Sequence, residues 1–227
     1  MHAHRTDSPA ARPRWARRKE ARPAELLAAA LDLFVERGFA GTRLDDVAAR
    51  AGVSKGTLYL YFENKEDLFK AVVRENIVAR ISAARDELSS YAGNTAELLR
   101  ALIRRWWHEF GATTAGGISK LMMAESGNFP DITRFFLEEV IEPWHRLVGA
   151  VIERGIKRGE FRPVDVPTFV QVVTAPMVML SLWTRSFGPC SARPLDAESY
   201  VDTLLDMALA SLQAKPAAPA RRRPARR

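Results

Sequence analysis

Residues 27–69 read LAAALDLFVERGFAGTRLDDVAARAGVSKGTLYLYFENKEDLF, and the spacing of apolar residues in this stretch decides the fold. They recur at three and four rather than at two, the period of helices, and no alternating β-branched run interrupts them. A first helix is predicted from about Pro23, a favoured first-turn residue, through Leu26, Leu27, Ala30, Leu31, Phe34 and Val35 to a stop at Gly38. Thr42 then stands where a cap is needed, with Asp45 three residues on to reach back in a capping box; the second helix covers 44–51 and Gly52 ends it. Ser54 can cap a third helix from Lys55 to about Phe62. Two short helices joined by a tight turn containing Gly make a helix-turn-helix, whose second helix can enter a major groove.

Leu27, Ala30, Phe34, Phe39, Leu44, Val47, Ala48, Val53, Leu58 and Phe62 have the spacing of the core of this three-helix unit. What remains outward on the third helix is Ser54, Lys55, Thr57, Tyr59 and Tyr61, hydroxyls and one cation that suit phosphates and base edges. Gly56, with no side chain, lets backbone N–H groups approach a phosphate. The unit 23–65 is not itself basic: five Lys/Arg face six Asp/Glu. Non-specific affinity for DNA rests on Lys and Arg against phosphates, so that contribution must come from elsewhere in the chain.

Taken in order and without gaps, Leu33-Phe34, Glu36-Arg37-Gly38-Phe39, Ala51-Gly52-Val53-Ser54, Gly56-Thr57-Leu58-Tyr59, Tyr61-Phe62 and Lys65-Glu66-Asp67-Leu68 closely resemble the DNA-binding domain of the TetR family of bacterial transcriptional regulators. The resemblance implies that Lys55, Gly56 and Thr57 face bases or the adjoining backbone and that Tyr59, Tyr61 and Lys65 bind phosphates; Thr42, Arg43 and Ser54 complete the expected surface. Two positions depart from the family pattern. Arg43 stands where a second small hydroxyl residue is common and can add a phosphate or groove contact, and Leu60 stands where an aromatic residue often follows the first Tyr. The operator sequence is therefore not carried over.

Working outward, the net charge of +7 belongs to the ends. Residues 1–22 carry seven Lys/Arg against Asp7 and Glu20, and 214–227 carry six against none, which leaves 23–213 at a net −4. Both ends are rich in Pro and Ala with few large apolar residues, and they read as disordered basic arms. They serve either as solvated ends or, for the stretch from Arg14 to Arg22, as the source of phosphate contacts, with Trp15 able to stack on DNA. The single cysteine, Cys190, allows no internal disulfide, and charges and prolines occupy the place of a secretory core. The nearly apolar stretch 169–183 is fifteen residues, shorter than the ~20 that span a bilayer. A cytoplasmic protein is expected.

From 66 to 213 the pattern stays helical, which makes the chain all-α with about nine helices: a three-helix reading domain over 23–65, then a helical ligand-binding and dimerisation domain. One long amphipathic helix over 65–88 links them. Aromatic and Met residues are dense enough to build an apolar pocket between helices, with Trp106, Trp107, Phe110, Met122, Met123, Phe136, Trp144 and Met177 as its expected wall and Glu125, Gln171 and Thr174 as polar members. His108 and Glu109 are further polar candidates. Pro143 and Pro176 fall inside helical patterns and can kink them.

The 169–183 helix is apolar nearly all round, which calls for burial on every side. Val170, Val173, Met177, Leu180 and Trp183, with Val201, Leu204, Leu205, Ala208 and Leu212 on the last helix, form the expected patch that pairs with its copy across a twofold axis, where the resemblance also puts the family's dimer interface. Enzyme readings fare poorly. Glu142 and His145 make one Glu-x-x-His pair where a di-iron bundle needs two, nothing sets Cys190 beside a His, and no phosphate loop or dinucleotide fingerprint appears. No cofactor and no metal are expected. The expected function is a repressor that binds a pseudo-palindromic operator as a homodimer and is released by a small hydrophobic effector. The rival is a nucleic-acid-organising protein acting through its basic tails, which would bind random duplex as well as operator.

Overall fold

The computed structural model describes residues 14–213, and the side chains of 23–213. The tail from 214 and the first thirteen residues of the expected N-terminal arm lie outside the described residues. Those from 14 onward are helical: α1 spans Arg14–Gly41 and thus starts nine residues before Pro23. Arg, Lys, Glu and Ala fill most of 14–22, all good helix formers, and Pro23 within the helix removes only the hydrogen bond back to Lys19. Gly38 breaks α1 where the stop is expected, at φ 77° and ψ 173°, a conformation essentially restricted to glycine. Next come α2 (Leu44–Arg50), α3 (Lys55–Tyr59) and α4 (Lys65–Val73). Gly52, between α2 and α3, has φ 66°.

The chain divides into two compact units, 1–72 and 73–227. In the first, the core closes around three phenylalanines. Phe34 stacks on Phe39 at 5.8 Å between ring centroids, and Phe69 meets both edge-on, at 5.2 and 5.5 Å. Leu26, Leu33, Leu58 and Leu68 are fully buried around them. Of the residues expected in the core, Leu44, Val53 and Phe62 are half-buried instead, as is Leu27. On α1, Ala30 and Phe34 are fully buried as expected, while Leu26 takes the inward place expected of Leu27. The beginning of α4 belongs to this unit, so three helices become four.

The second unit contains α5 (Ala79–Ser90), α6 (Thr95–Trp106), α7 (Gly117–Glu125), α8 (Pro130–Phe136), α9 (Glu142–Lys157), α10 (Val166–Ser186) and α11 (Ala197–Gln213). Three wide π turns lie among them: Arg74–Val78 joins α4 to α5, Trp107–Gly111 extends α6, and Leu137–Ile141 joins α8 to α9. Because two pairs run through without a break, the eleven α-helical segments make nine rods, and no strand occurs among the described residues. Helix α9 is central, packed on α5, α6 and α10 by Trp144, Leu147, Val148, Val151 and Ile152.

At 21 residues α10 is longer than the fifteen-residue stretch read from the sequence, and by length and composition it would also serve to cross a membrane. Its packing is that of a helix in a bundle, against α7, α9 and α11. Val170, Val173, Met177 and Leu180 fill its inner face and are at most 4% exposed. Val201, Leu205, Ala208 and Leu212 of α11 are buried in the same interior. These eight residues, expected at a dimer interface, therefore form the core of one protomer. A helix apolar all round gives no phase from which to choose the inner face. The apolar residues left outward are Val172, Met179, Trp183 and Phe187 on and after α10, with Leu195 and Met207 alongside; Leu204 is half-buried.

Candidate nucleic-acid interface and effector cavity

On the recognition side, the geometry starts from the cap. Ser54 Oγ accepts the backbone N–H of Thr57 at 3.1 Å and lies 2.8 Å from Thr57 Oγ1, which fixes the start of α3. Leu58 is buried and anchors the helix, leaving Ser54, Lys55 and Gly56 exposed on its other side. Tyr59, Leu60 and Tyr61 are also exposed, at 45%, 82% and 37%. Lys55 is oriented by Asp45 of α2, with Nζ 2.9 Å from the carboxylate, and that hydrogen bond and charge raise its pKa. Arg43 is exposed at the start of α2. Arg37 pairs with Asp46 at 2.7 Å and Arg50 with Glu36 at 3.0 Å, ties from α1 to α2 that hold the second helix in place.

Two expected contacts are spent elsewhere. Thr42 is 1% exposed; its hydroxyl donates to the carbonyl of Leu33 (3.1 Å) or of Gly38 (2.7 Å), so it neither caps α2 nor reaches a nucleic acid. Arg43 takes the cap position, with no side-chain cap bond. Lys65 Nζ donates to the carbonyls of Phe39 (2.7 Å) and Ala40 (3.2 Å) and sits 4.6 Å from the centre of the Phe39 ring. In the free protein it satisfies two of the last backbone carbonyls of α1, which ends at Gly41 with no further turn of helix to supply N–H donors.

Within the second unit, side chains from α5 to α10 surround a cavity of about 180 Å3. Trp106, Phe110, Phe136, Trp144 and Thr174 line it, as expected. The remaining expected members do not. Trp107 and Met122 are buried in the surrounding packing, with Trp107 Nε1 donating to Glu198 of α11 at 3.2 Å; Met177 belongs to the inner face of α10. Met123 and Gln171 are exposed and Glu125 lies at the end of α7. Residues the sequence reading missed include Ile77, Ile81, Leu102, Val140, Arg80 and Arg105. Glu109, a polar candidate, and His145, considered only as a metal ligand, also line it.

All three π turns contribute to this wall, Ile77 from the first, Glu109 and Phe110 from the second, Val140 and Ile141 from the third. A π turn adds a residue to the helical turn, shifts the register of the residues after it and recurs at binding sites. The first and third are tied by a two-pronged contact, Arg74 Nε and Nη2 donating to Glu139 at 2.8 and 2.6 Å. The second is pinned from α10: Ser181 Oγ lies within 3.3 Å of the carbonyls of Gly111 and Gly116, and the half-buried Arg185 donates to Thr113 and to Ser181. Gly116 has no room for a side chain, since a Cβ there would stand 2.5 Å from the Gly111 carbonyl oxygen and 2.9 Å from that of Phe110.

The cavity has a charged edge. Arg80 lies 3.5 Å from Glu109, and Arg105 pairs with Glu87 at 2.6 Å. Partial burial lowers the pKa of His145, which favours the neutral ring. No group of three or more His, Cys, Asp or Glu that could hold a metal ion occurs among the described residues.

Comparison with known proteins bears on both units. Residues 26–72 match the family model described as bacterial regulatory proteins, tetR family, and residues 92–204 match that described as tetracyclin repressor-like, C-terminal domain. The HTH-type transcriptional repressor KstR2 of Rhodococcus jostii is 27% identical over 190 residues, 83% of this chain and 91% of its own length. The fatty acid metabolism regulator protein of Bacillus subtilis is 24% identical over 63% of this chain and 74% of its own. The crystal structure of the regulator FadR from Bacillus subtilis in complex with stearoyl-CoA superposes with a TM-score of 0.70 at 19% identity, covering 83% of this chain and 98% of that one. With the reading unit and the helical unit each matched in chain order, the chain belongs to the TetR family of bacterial transcriptional regulators, ligand-responsive proteins that bind DNA through a helix-turn-helix.

Proposed function

We propose that this regulator is a cytoplasmic repressor that binds a pseudo-palindromic operator as a homodimer and leaves it when an apolar molecule with an anionic end fills the cavity of the second unit. The observation that carries this reading is the cavity itself: apolar walls from six helices, with Arg80 and Arg105 among the lining residues. An acyl chain suits such walls, and the two guanidinium groups suit a carboxylate or phosphate. The stearoyl-CoA of the FadR structure is a molecule of this class. The repressor sense is taken from the name given to KstR2.

Base contacts are assigned to Lys55, Gly56 and Thr57, and phosphate contacts to Tyr59, Tyr61 and Arg43, with Ser54 holding the helix start. The second copy is assigned to the outward face of α10 and α11, where Val172, Met179, Trp183, Phe187 and Met207 leave exposed apolar side chains on elements packed together. Two copies would set two recognition helices on successive major grooves, ~34–36 Å apart. For release, the effector must favour the DNA-incompetent form, and a coupling of about 1–3 kcal/mol changes operator affinity roughly five- to 150-fold.

The test combines light scattering with operator binding by the full chain, using DNA from upstream of its own gene and random duplex of equal length, with and without stearoyl-CoA. The expected result is a dimer that prefers the upstream DNA and loses it when the acyl-CoA is added. A monomer protecting a single half-site, or equal affinity for random duplex, would overturn the operator reading. An operator affinity unmoved by long-chain acyl-CoAs and fatty acids alike would overturn the effector reading.

A further inference from the structure

Two buried side-chain polar atoms without a hydrogen-bond partner occur among the described residues, the indole N–H of Trp144 and the hydroxyl of Thr174. They sit on different helices, α9 and α10, yet both residues line the same cavity, and they are only 6% and 9% exposed. Comparable groups nearby are satisfied: Trp107 donates to Glu198, and Ser181 finds the carbonyls of Gly111 and Gly116. An indole N–H can only donate, and a buried donor left unpaired costs free energy that an incoming acceptor recovers. A plain hydrocarbon chain in the cavity would leave both groups unpaired.

Resting on the effector reading above, we propose that the effector carries a hydrogen-bond acceptor, a carbonyl, ether or hydroxyl oxygen, within its apolar part, and that Trp144 Nε1 and Thr174 Oγ1 select for it. The cavity then discriminates between an oxygenated chain or ring and a saturated chain of equal length, while Arg80 and Arg105 take the anionic end of either. Selection of this kind is stronger than selection by size, because a polar group in the wall rejects a ligand that cannot pair with it, whereas an extra methylene in an apolar wall is tolerated.

The experiment is calorimetric titration of the full chain with dodecanoate and with a positional series of oxododecanoates. At one or two neighbouring positions the oxo acid is expected to bind at least about tenfold tighter than dodecanoate, the gain of one paired buried group. Thr174→Val keeps the shape, so it should reduce that advantage while leaving dodecanoate affinity no weaker. Without ligand, it should raise the melting temperature by removing an unpaired buried hydroxyl. Trp144→Phe should reduce the advantage in the same way, and Thr174→Val carries the test if that variant does not fold. Dodecanoate binding as tightly as every oxo acid, an advantage that survives Thr174→Val together with Trp144→Phe, or a melting temperature lowered by Thr174→Val would overturn the selection while the cavity remains an effector site. Binding by no member of the series would overturn the effector reading itself, and this inference with it.

Discussion

In the unit ending at Val72 the large side chains close on one another: Phe34, Phe39 and Phe69 touch ring to ring at the centre of the core. In the unit beginning at Val73 rings stand at similar spacings, Trp106 at 5.3 Å from Phe110 and 6.3 Å from Trp144, yet they enclose a cavity. The difference reflects where each unit keeps its chemistry. The first presents hydroxyls and a cation on the outside of five-residue α3, so its interior has one task, to hold that helix rigid. The second keeps its chemistry inside, between helices whose three π turns all contribute to the cavity wall and which polar pins such as Arg185 and Ser181 tie together. A rigid unit tolerates a poor surface; a hollow one tolerates a poor core only where the pins survive.

The sharpest way to break the comparison is to hollow the solid unit. Phe34→Ala removes a fully buried ring that contacts two others and should destabilise the reading unit by about 3–5 kcal/mol. Operator binding is then expected to vanish, while effector binding to the second unit, followed by Trp fluorescence, persists. Loss of effector binding as well would mean that the two interiors fold as one.

The converse is to push on the hollow unit at a pin. A methyl group at Gly116 meets backbone carbonyls that cannot rotate away, so Gly116→Ala should destabilise the second unit by ~1–3 kcal/mol and disturb the cavity wall at Phe110. The expected signature is weakened effector binding with α3 unaffected, visible as unchanged affinity for operator in the absence of effector. A variant with normal stability and normal effector affinity would show that this loop is not closely packed.

At the surface the effects should be smaller and confined to DNA. Lys55→Ala leaves Leu58 and the Ser54 cap in place, so the melting temperature should not move. Operator affinity should fall roughly tenfold, and the salt slope by about one if the contact is to a phosphate. Asp45 pairs with Lys55 in the free protein, so Asp45→Asn is expected to act in the opposite direction, raising affinity for all duplexes by removing a competitor for the ammonium. Equal losses in both variants would instead make the pair a structural unit that positions α3.

The two units are not equally legible in the sequence, and the reason is local. Ser54, Gly38 and Gly52 act within a few residues of themselves, so cap, break and turn can be read from their neighbours. Thr42 and Lys65 escape because their side chains turn back to carbonyls of α1, Leu33 or Gly38 for one and Phe39 and Ala40 for the other, and not to the helix at whose start each residue stands. In the second unit each π turn advances the register by a residue, which rotates the following face by roughly 100° and defeats extrapolation of a 3.6-residue period. That is why Ile77, Val140 and Arg80 are not legible as wall residues; Phe110 also lies in a π turn and Trp144 follows one, but these two, like Trp106, are legible by aromatic type, which needs no phase. Helix α10 misleads in another way: with apolar residues on every side its period carries no phase, and the sequence does not distinguish the buried face from the exposed one.

The smallest expected effect tests an electrostatic pin in the hollow unit. At the start of α6, Asn94 Oδ1 accepts the N–H of Ala96 at 2.8 Å, and Glu160, arriving from the loop after α9, accepts the N–H of Thr95 at 2.5 Å. Arg158 donates to the other carboxylate oxygen at 2.5 Å. Hydrogen bonds from Thr95 above all, then from Arg158, hold the Glu160 pKa down at about 2 against an ordinary 4.5. A carboxylate whose folded-state pKa lies below its unfolded value contributes stability that is complete above the unfolded pKa, and the contribution is lost as pH falls from about 4.5 towards 2. Glu160→Gln keeps an acceptor for Thr95, removes the charge and sets an amide NH2, a donor, where Arg158 donates. At pH 7 it should melt a few degrees below the parent protein, and the gap should close as the pH is lowered through that window, because the parent then loses the same charge. A gap that stays constant from pH 7 to pH 3 would mean that the carboxylate acts by shape alone, and that the hollow unit holds α6 by packing just as the solid unit holds α3.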